Sequence, residues 1–287
     1  MKKAGKYLLC FLPLLIYVVI QLAGGIGVSI IAGFRVAAAN PGADMITMQQ
    51  QAMELYLDMV PMTICAIHVI MTVTGTIWFY LALGRKRRGK PEKTFTWLTI
   101  VVIVFCAIGI QYVCTGALMF VQAVAPGALD SYSQLIQNAG LGGQDFFSVI
   151  AAVCLAPFGE EFLFRGITMN FAKKAGAGFL VANIIQALCF GIAHMNLVQG
   201  IYAFFMGIIF GYIYERYHSI YVPVLLHAAV NFLATFINPL LLEKIFGEAE
   251  PEVLSSIVFL IVAAAALAVG FVLLNKDRKK EEEFTIK

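Results

Sequence analysis

The chain has 287 residues, of which 61% are hydrophobic and 13% charged, with a formal net charge of +3. A soluble domain carries about 25% charged residues, so composition excludes a soluble globular protein, and no nucleic-acid partner is expected. The expectation is an all-α polytopic membrane protein whose constant partner is membrane lipid.

A hydrocarbon core of about 30 Å takes about 20 helical residues to cross. Lys2, Lys3 and Lys6 precede the first apolar run, Tyr7–Gly33. A signal-peptide core runs about 7–15 residues, so this longer run reads as an uncleaved first helix. A short amphipathic helix is expected near Met45–Asp58 in the loop Phe34–Met59. Seven more spans follow: Val60–Gly84, Thr96–Ala125, Phe146–Phe171, Ala175–His194, Val198–Tyr214, Ser219–Leu242 and Leu254–Asn275. The chain then divides into a three-helix region over 1–145, a core over 146–242, and a last helix with a charged tail over 243–287. Cys10, Cys65, Cys106, Cys114, Cys154 and Cys189 all fall in apolar runs and read as small buried hydrophobes. They form no CxxC pair and no zinc-ligand spacing.

Charge placement sets the expected sidedness. With the N-terminus in the cytoplasm, eight crossings put all but two of the 20 Lys and Arg residues on the inner side, Arg35 and Lys244 being the exceptions. The outer loops instead hold Asp44, Glu54, Asp58, Asp130, Asp145, Glu243, Glu248, Glu250 and Glu252. One helix more or fewer scrambles this asymmetry. Both termini are therefore expected in the cytoplasm, and the pattern fits a prokaryotic plasma membrane.

The fourth span carries Glu160, Glu161 and Arg165, whereas the other spans hold no Asp, Glu, Lys or Arg. A charge at mid-bilayer costs about 2.5–3.5 kcal/mol even on lenient insertion scales, so such residues mark functional sites by default. Residues four apart share a helix face and adjacent ones diverge by about 100°. Glu161 and Arg165 are thus expected to pair, leaving Glu160 free to face a cavity as a general base. Pro157, one turn earlier, is expected to kink the helix or free a carbonyl. In the fifth span, Asn183, Gln186, Phe190 and His194 line one face. In the seventh, His227, Asn231 and Thr235 do the same, Asn231 offering an amide donor for an oxyanion. Counted inward at 1.5 Å per residue, Glu160, His194, His227 and Asn231 fall in one slab about 8 Å thick. His68 reads as structural and His218 as interfacial.

Glu160-Glu161-x-x-x-Arg165, Phe190-x-x-x-His194 and His227-x-x-x-Asn231 resemble the three motifs of the CPBP intramembrane proteases. That family includes the type II CAAX prenyl endopeptidases and bacteriocin-processing or self-immunity proteins. The resemblance covers about Phe146–Asn238. It implies hydrolysis of a peptide bond in a membrane-associated, possibly lipidated or leader-bearing, peptide or protein. Glu160 and His194 would polarise water, His227 and Asn231 would hold the oxyanion, and Glu161, Arg165 and Phe190 would support them. No cofactor is expected. The alternative is zinc held by Glu160, His194 and His227, although no HExxH is present. A proton-coupled transporter and a non-catalytic immunity or scaffold protein are the rival functions.

Overall fold

In the computed structural model, residues 3–87, 95–138, 145–247 and 252–285 are described, and among them there is helix and no strand. Of the charges assigned to sides above, Lys2, Arg88, Lys90, Lys93, Lys287, Glu248 and Glu250 lie outside the described residues.

A helical turn at Lys3–Leu8 and a tighter one at Leu9–Phe11 lead directly into α1, Leu12–Ala39. Asp44 then accepts from the backbone N–H groups of Ile46 and Thr47 at 3.0 Å, starting α2, Met45–Arg87. The amphipathic helix expected near Met45–Asp58 is not a separate element but the N-terminal part of α2, which runs through Pro61 without a break. α3, Trp97–Val124, begins on a reciprocal cap between Thr96 and Thr99. The surface helix α4, Pro126–Asn138, precedes α5, Phe146–Lys174, which Asp145 caps through the N–H groups of Phe147 and Ser148. α6, Phe179–Ala193, and α7, Leu197–Tyr217, form a tight hairpin. α8, Tyr221–Phe246, and α9, Val253–Thr285, complete the chain.

Seven of these helices are long and apolar enough to cross a bilayer: the run ending in α1, then α2, α3, α5, α7, α8 and α9. This is an integral membrane protein of all-α architecture. The eighth expected span is shorter than predicted. α6 has 15 residues, or about 22 Å at 1.5 Å per residue. Ala175–Gly178, assigned above to that span, form the preceding loop, where Gly176 takes φ 100°. At the other end His194 caps the helix, Met195 turns into the left-handed region at φ 50°, and Asn196 caps α7 through Gln199 N–H. Leu180, Ile184, Leu188 and Ile192 form an exposed apolar stripe at fourfold spacing, while Ala182, Asn183, Gln186, Ala187 and Phe190 are buried opposite. α6 thus buries one face and leaves an apolar stripe exposed on the other.

α5 lies at the centre, packed by α2, α6 and α8, with α1 reaching its second half; α9 runs along α3. Every residue from Gly159 to Met169 is buried. α5 carries two wider π-helical stretches, Ile150–Leu155 and Phe162–Thr168, and α8 carries one at Leu233–Ile237. α2 and α5 meet at glycines beside the charged cluster: a Cβ on Gly159 would lie 3.2 Å from Thr72 N, and one on Gly75 3.3 Å from Gly159 O. At one end of the bundle, Lys173 of α5 pairs with Glu215 of α7. At the same end, buried Asp277 of α9 accepts from Thr96 Oγ1 at 2.7 Å, Thr99 Oγ1 at 2.9 Å and Tyr217 OH at 2.9 Å.

Candidate active site

Glu161 and Arg165 form the expected i, i+4 pair, Nη1 to Oε1 at 2.8 Å, with both side chains fully buried. The guanidinium lies 4.3 Å from the Phe190 ring centroid and 5.0 Å from that of Phe210. Aromatic faces thus take over part of the solvation that water would supply. This accounts for Phe190, whose ring edge also meets His194 and His227. Glu161 has a second duty that the sequence reading did not include. Its Oε1 also receives His227 Nδ1 at 2.9 Å. That bond assigns a proton to Nδ1, fixes the ring orientation and turns Nε2 toward Glu160.

Glu160 is 4% exposed. Its Oε2 lies 3.8 Å from His227 Nε2, too far for a direct hydrogen bond and close enough for one oxygen atom to bridge. The other carboxylate oxygen, contrary to the expectation of a free Glu160, has a partner. Oε1 accepts a 2.7 Å hydrogen bond from Tyr17 OH of α1. His194, half-buried at the end of α6, places Nδ1 2.8 Å from Phe190 O, so this nitrogen carries the proton and Nε2 keeps its lone pair. Glu160 lies within electrostatic range of His194, His227 and His68. His227 and His194 thus stand near the Glu160 carboxylate.

Asn231 has a partner the sequence did not suggest. Its Nδ2 donates to Ala152 O at 2.7 Å. In the π-helical stretch bonds run from N–H to the carbonyl five residues back, as from Ala156 N–H to Ala151 O. The next donor in that register is Pro157, which has no N–H. Ala152 O is the carbonyl this frees, and Asn231 satisfies it. The amide keeps a second N–H.

The amide stripe of α6 divides. Asn183 Nδ2 donates to Ile208 O at 3.0 Å, and Gln186 Nε2 to Gly207 O at 2.8 Å and Asn183 Oδ1 at 2.7 Å. Both amides bind α7 to α6, and a Cβ on Gly211 would lie 1.9 Å from Asn183 Oδ1. Phe190 and His194 of that stripe reach the charged cluster. Thr235 lies in the π-helical stretch of α8, and His218 takes φ 53° at the end of α7. His68 of α2, read above as structural, stands in the field of Glu160, His194 and His227. Tyr17, Phe210 and the Ala152 carbonyl were missed. A lone Tyr in an apolar span looks like any interfacial or core aromatic.

Among the described residues no group of three or more His, Cys, Asp and Glu side chains is gathered so as to hold a metal ion. Glu161, the one carboxylate bonded to a site imidazole, is already shared with Arg165. The donor set Glu160, His194 and His227 does not fit a ready zinc cage.

Residues 142–233 match the family model described as type II CAAX prenyl endopeptidase Rce1-like. The chain is similar to that family over this segment alone. The matched segment contains α5, α6, α7 and the part of α8 that bears His227 and Asn231, so all three motifs lie within it. Residues 2–130, with α1, α2 and α3, match a second model, described as SIS3, N-terminal domain. "Putative membrane peptidase YdiL" of Bacillus subtilis (strain 168) is 30% identical over 142 residues, which are 47% of this chain and 56% of that protein. The chain thus spans about half the length of this curated relative. No solved structure matches.

Proposed function

We propose that the protein is an intramembrane endopeptidase that cuts a peptide bond in a membrane-associated substrate. The observation that carries this reading is the convergence of His227 and His194, from two further helices, on the buried Glu160 carboxylate, whose Oε2 lies 3.8 Å from His227 Nε2. The similarity to the Rce1-like family and the peptidase relative support the same class of reaction.

In this reading water lies between Glu160 Oε2 and His194 Nε2. Glu160 takes its proton as the oxygen attacks the scissile carbonyl, then returns that proton to the leaving amine. The oxyanion is received by His227 Nε2–H and by the second N–H of Asn231. For His227 to donate from Nε2 while Nδ1 is bonded to Glu161, the ring must be an imidazolium. The buried charges then balance, Glu160 and Glu161 against Arg165 and His227. This balance offsets the large cost of isolated charges in a low-dielectric interior.

The substrate is inferred to be a membrane-embedded or lipid-bearing peptide, since the site is reached from helices with apolar outer faces. The chemistry is inferred to run on side chains alone, with both termini in the cytoplasm of a prokaryotic cell. The test uses purified protein in detergent and an internally quenched, farnesylated peptide with a CAAX end. Glu160→Ala is expected to abolish cleavage while keeping the elution profile and melting temperature of the parent. EDTA or o-phenanthroline is expected to leave the rate unchanged. Full activity of Glu160→Ala overturns the mechanism, and a chelator-sensitive rate restored by zinc overturns its metal-free form.

A further inference from the structure

We infer that Tyr17 is a positioning residue for Glu160, so that the site in the Rce1-like segment is completed by a helix from outside that segment. The inference rests on the role proposed above for Glu160.

Three observations carry it. Tyr17 is 2% exposed, and its phenol donates to Glu160 Oε1 at 2.7 Å across 143 residues of sequence. Its ring packs against Phe164, one turn beyond Glu160 on α5, at 5.6 Å between centroids. Ring and hydroxyl thus grip one stretch of α5 at two points. The bond also divides the labour of the carboxylate. With Oε1 occupied by Tyr17, Oε2 is the oxygen left to face His227. Without the phenol, rotation about the terminal torsion of Glu160 exchanges the two oxygens freely, because that torsion is broad and nearly twofold. A charge-assisted hydrogen bond to a buried carboxylate is also among the stronger ones. The contact therefore selects the orientation in which a base can work.

The same geometry explains why a helix matched by a different family model belongs to this site. α1 lies against the second half of α5 and against α6. It carries Pro13, Tyr17, Val28, Ala32 and Val36 as its buried residues, and Tyr17 alone among these has a polar group to offer.

The test has an arm independent of turnover. Dicyclohexylcarbodiimide modifies carboxyl groups in apolar surroundings, and fragmentation mass spectrometry resolves Glu160 from Glu161. In Tyr17→Phe, labelling of Glu160 is expected to run at least threefold faster, because Oε1 loses its donor and its cover. Leu14→Ala, which trims an apolar neighbour one turn away on α1, is expected to stay within twofold of the parent. Glu160→Gln gives the blank. In the peptide assay Tyr17→Phe is expected to lose about tenfold in kcat with KM within twofold. Equal labelling of Tyr17→Phe and parent overturns the contact. Equal acceleration by Leu14→Ala reduces the effect to helix seating and also overturns it. An unchanged kcat in Tyr17→Phe, where Glu160→Ala is inactive, overturns the catalytic consequence. Activity in Glu160→Ala defeats the underlying mechanism instead, while the labelling comparison still decides the Tyr17 contact.

Discussion

Glu161 is the residue on which the charges of the site converge. One carboxylate oxygen accepts from both Arg165 at 2.8 Å and His227 at 2.9 Å, with no solvent around it. Removing one member of a buried pair leaves the other uncompensated, at a cost of about 3–5 kcal/mol. Arg165→Met is accordingly expected to lower stability by about that amount in a detergent melt and to abolish cleavage. Arg165→Lys is expected to recover only part of the stability, since an ammonium does not replace a flat guanidinium lying over Phe190 and Phe210. The Glu161–Arg165 pair was legible in the sequence because four residues on a helix fix a face. The Glu161–His227 bond spans 66 residues and the Tyr17–Glu160 bond 143. Periodicity carries no information about either, because each depends on how whole helices are rotated against one another.

The segments that aim these side chains are less regular than the sequence suggested. Periodicity located the helices, and Pro157 signalled a freed carbonyl, but not which one. The π-helical register of Ile150–Leu155 moves the gap to Ala152, where Asn231 fills it. Asn231 therefore supports α5, and the oxyanion role proposed for it above is a second duty that can be tested apart from the first. Asn231→Ala is expected to lower stability by about 1–3 kcal/mol through an orphaned buried carbonyl and to lower kcat by about 10²–10³ through the lost oxyanion donor. Adding Pro157→Ala restores an N–H at that position. The double variant is expected to regain most of the melting temperature and none of the rate. Recovery of both assigns Asn231 to support alone. The one clear error at this level was the length of α6. Hydropathy runs on through Ala175–Gly178, whereas Gly176 and the cap at Gly178 end helical bonding there.

Across the molecule, helices far apart in sequence are tied at one end by Asp277, which receives hydroxyls from the start of α3 and the end of α7. Hydrogen bonds to a charged group contribute about 1.5–3 kcal/mol each. Asp277→Ala is expected to destabilise the fold by about 2–4 kcal/mol while leaving turnover near the parental rate at low temperature, since its hydroxyl donors Thr96, Thr99 and Tyr217 are not residues of the candidate site. A melt unchanged in this variant refutes the tie. The all-α membrane class could be read from composition, and three spaced motifs pointed to the segment that holds the candidate site. The contribution of α1 could not, because nothing local in that helix distinguishes Tyr17 from a packing aromatic.

The brevity of α6 bears on the lipid itself. Its neighbours α5 and α7 have 29 and 21 residues, against its own 15, so an apolar stripe about 22 Å tall faces hydrocarbon about 30 Å thick. Such a shortfall is met by shortening the surrounding acyl layer, at fractions of a kcal/mol for each ångström. Thinner hydrocarbon is therefore expected beside His194, which would bring a peptide bond held there nearer to the water boundary.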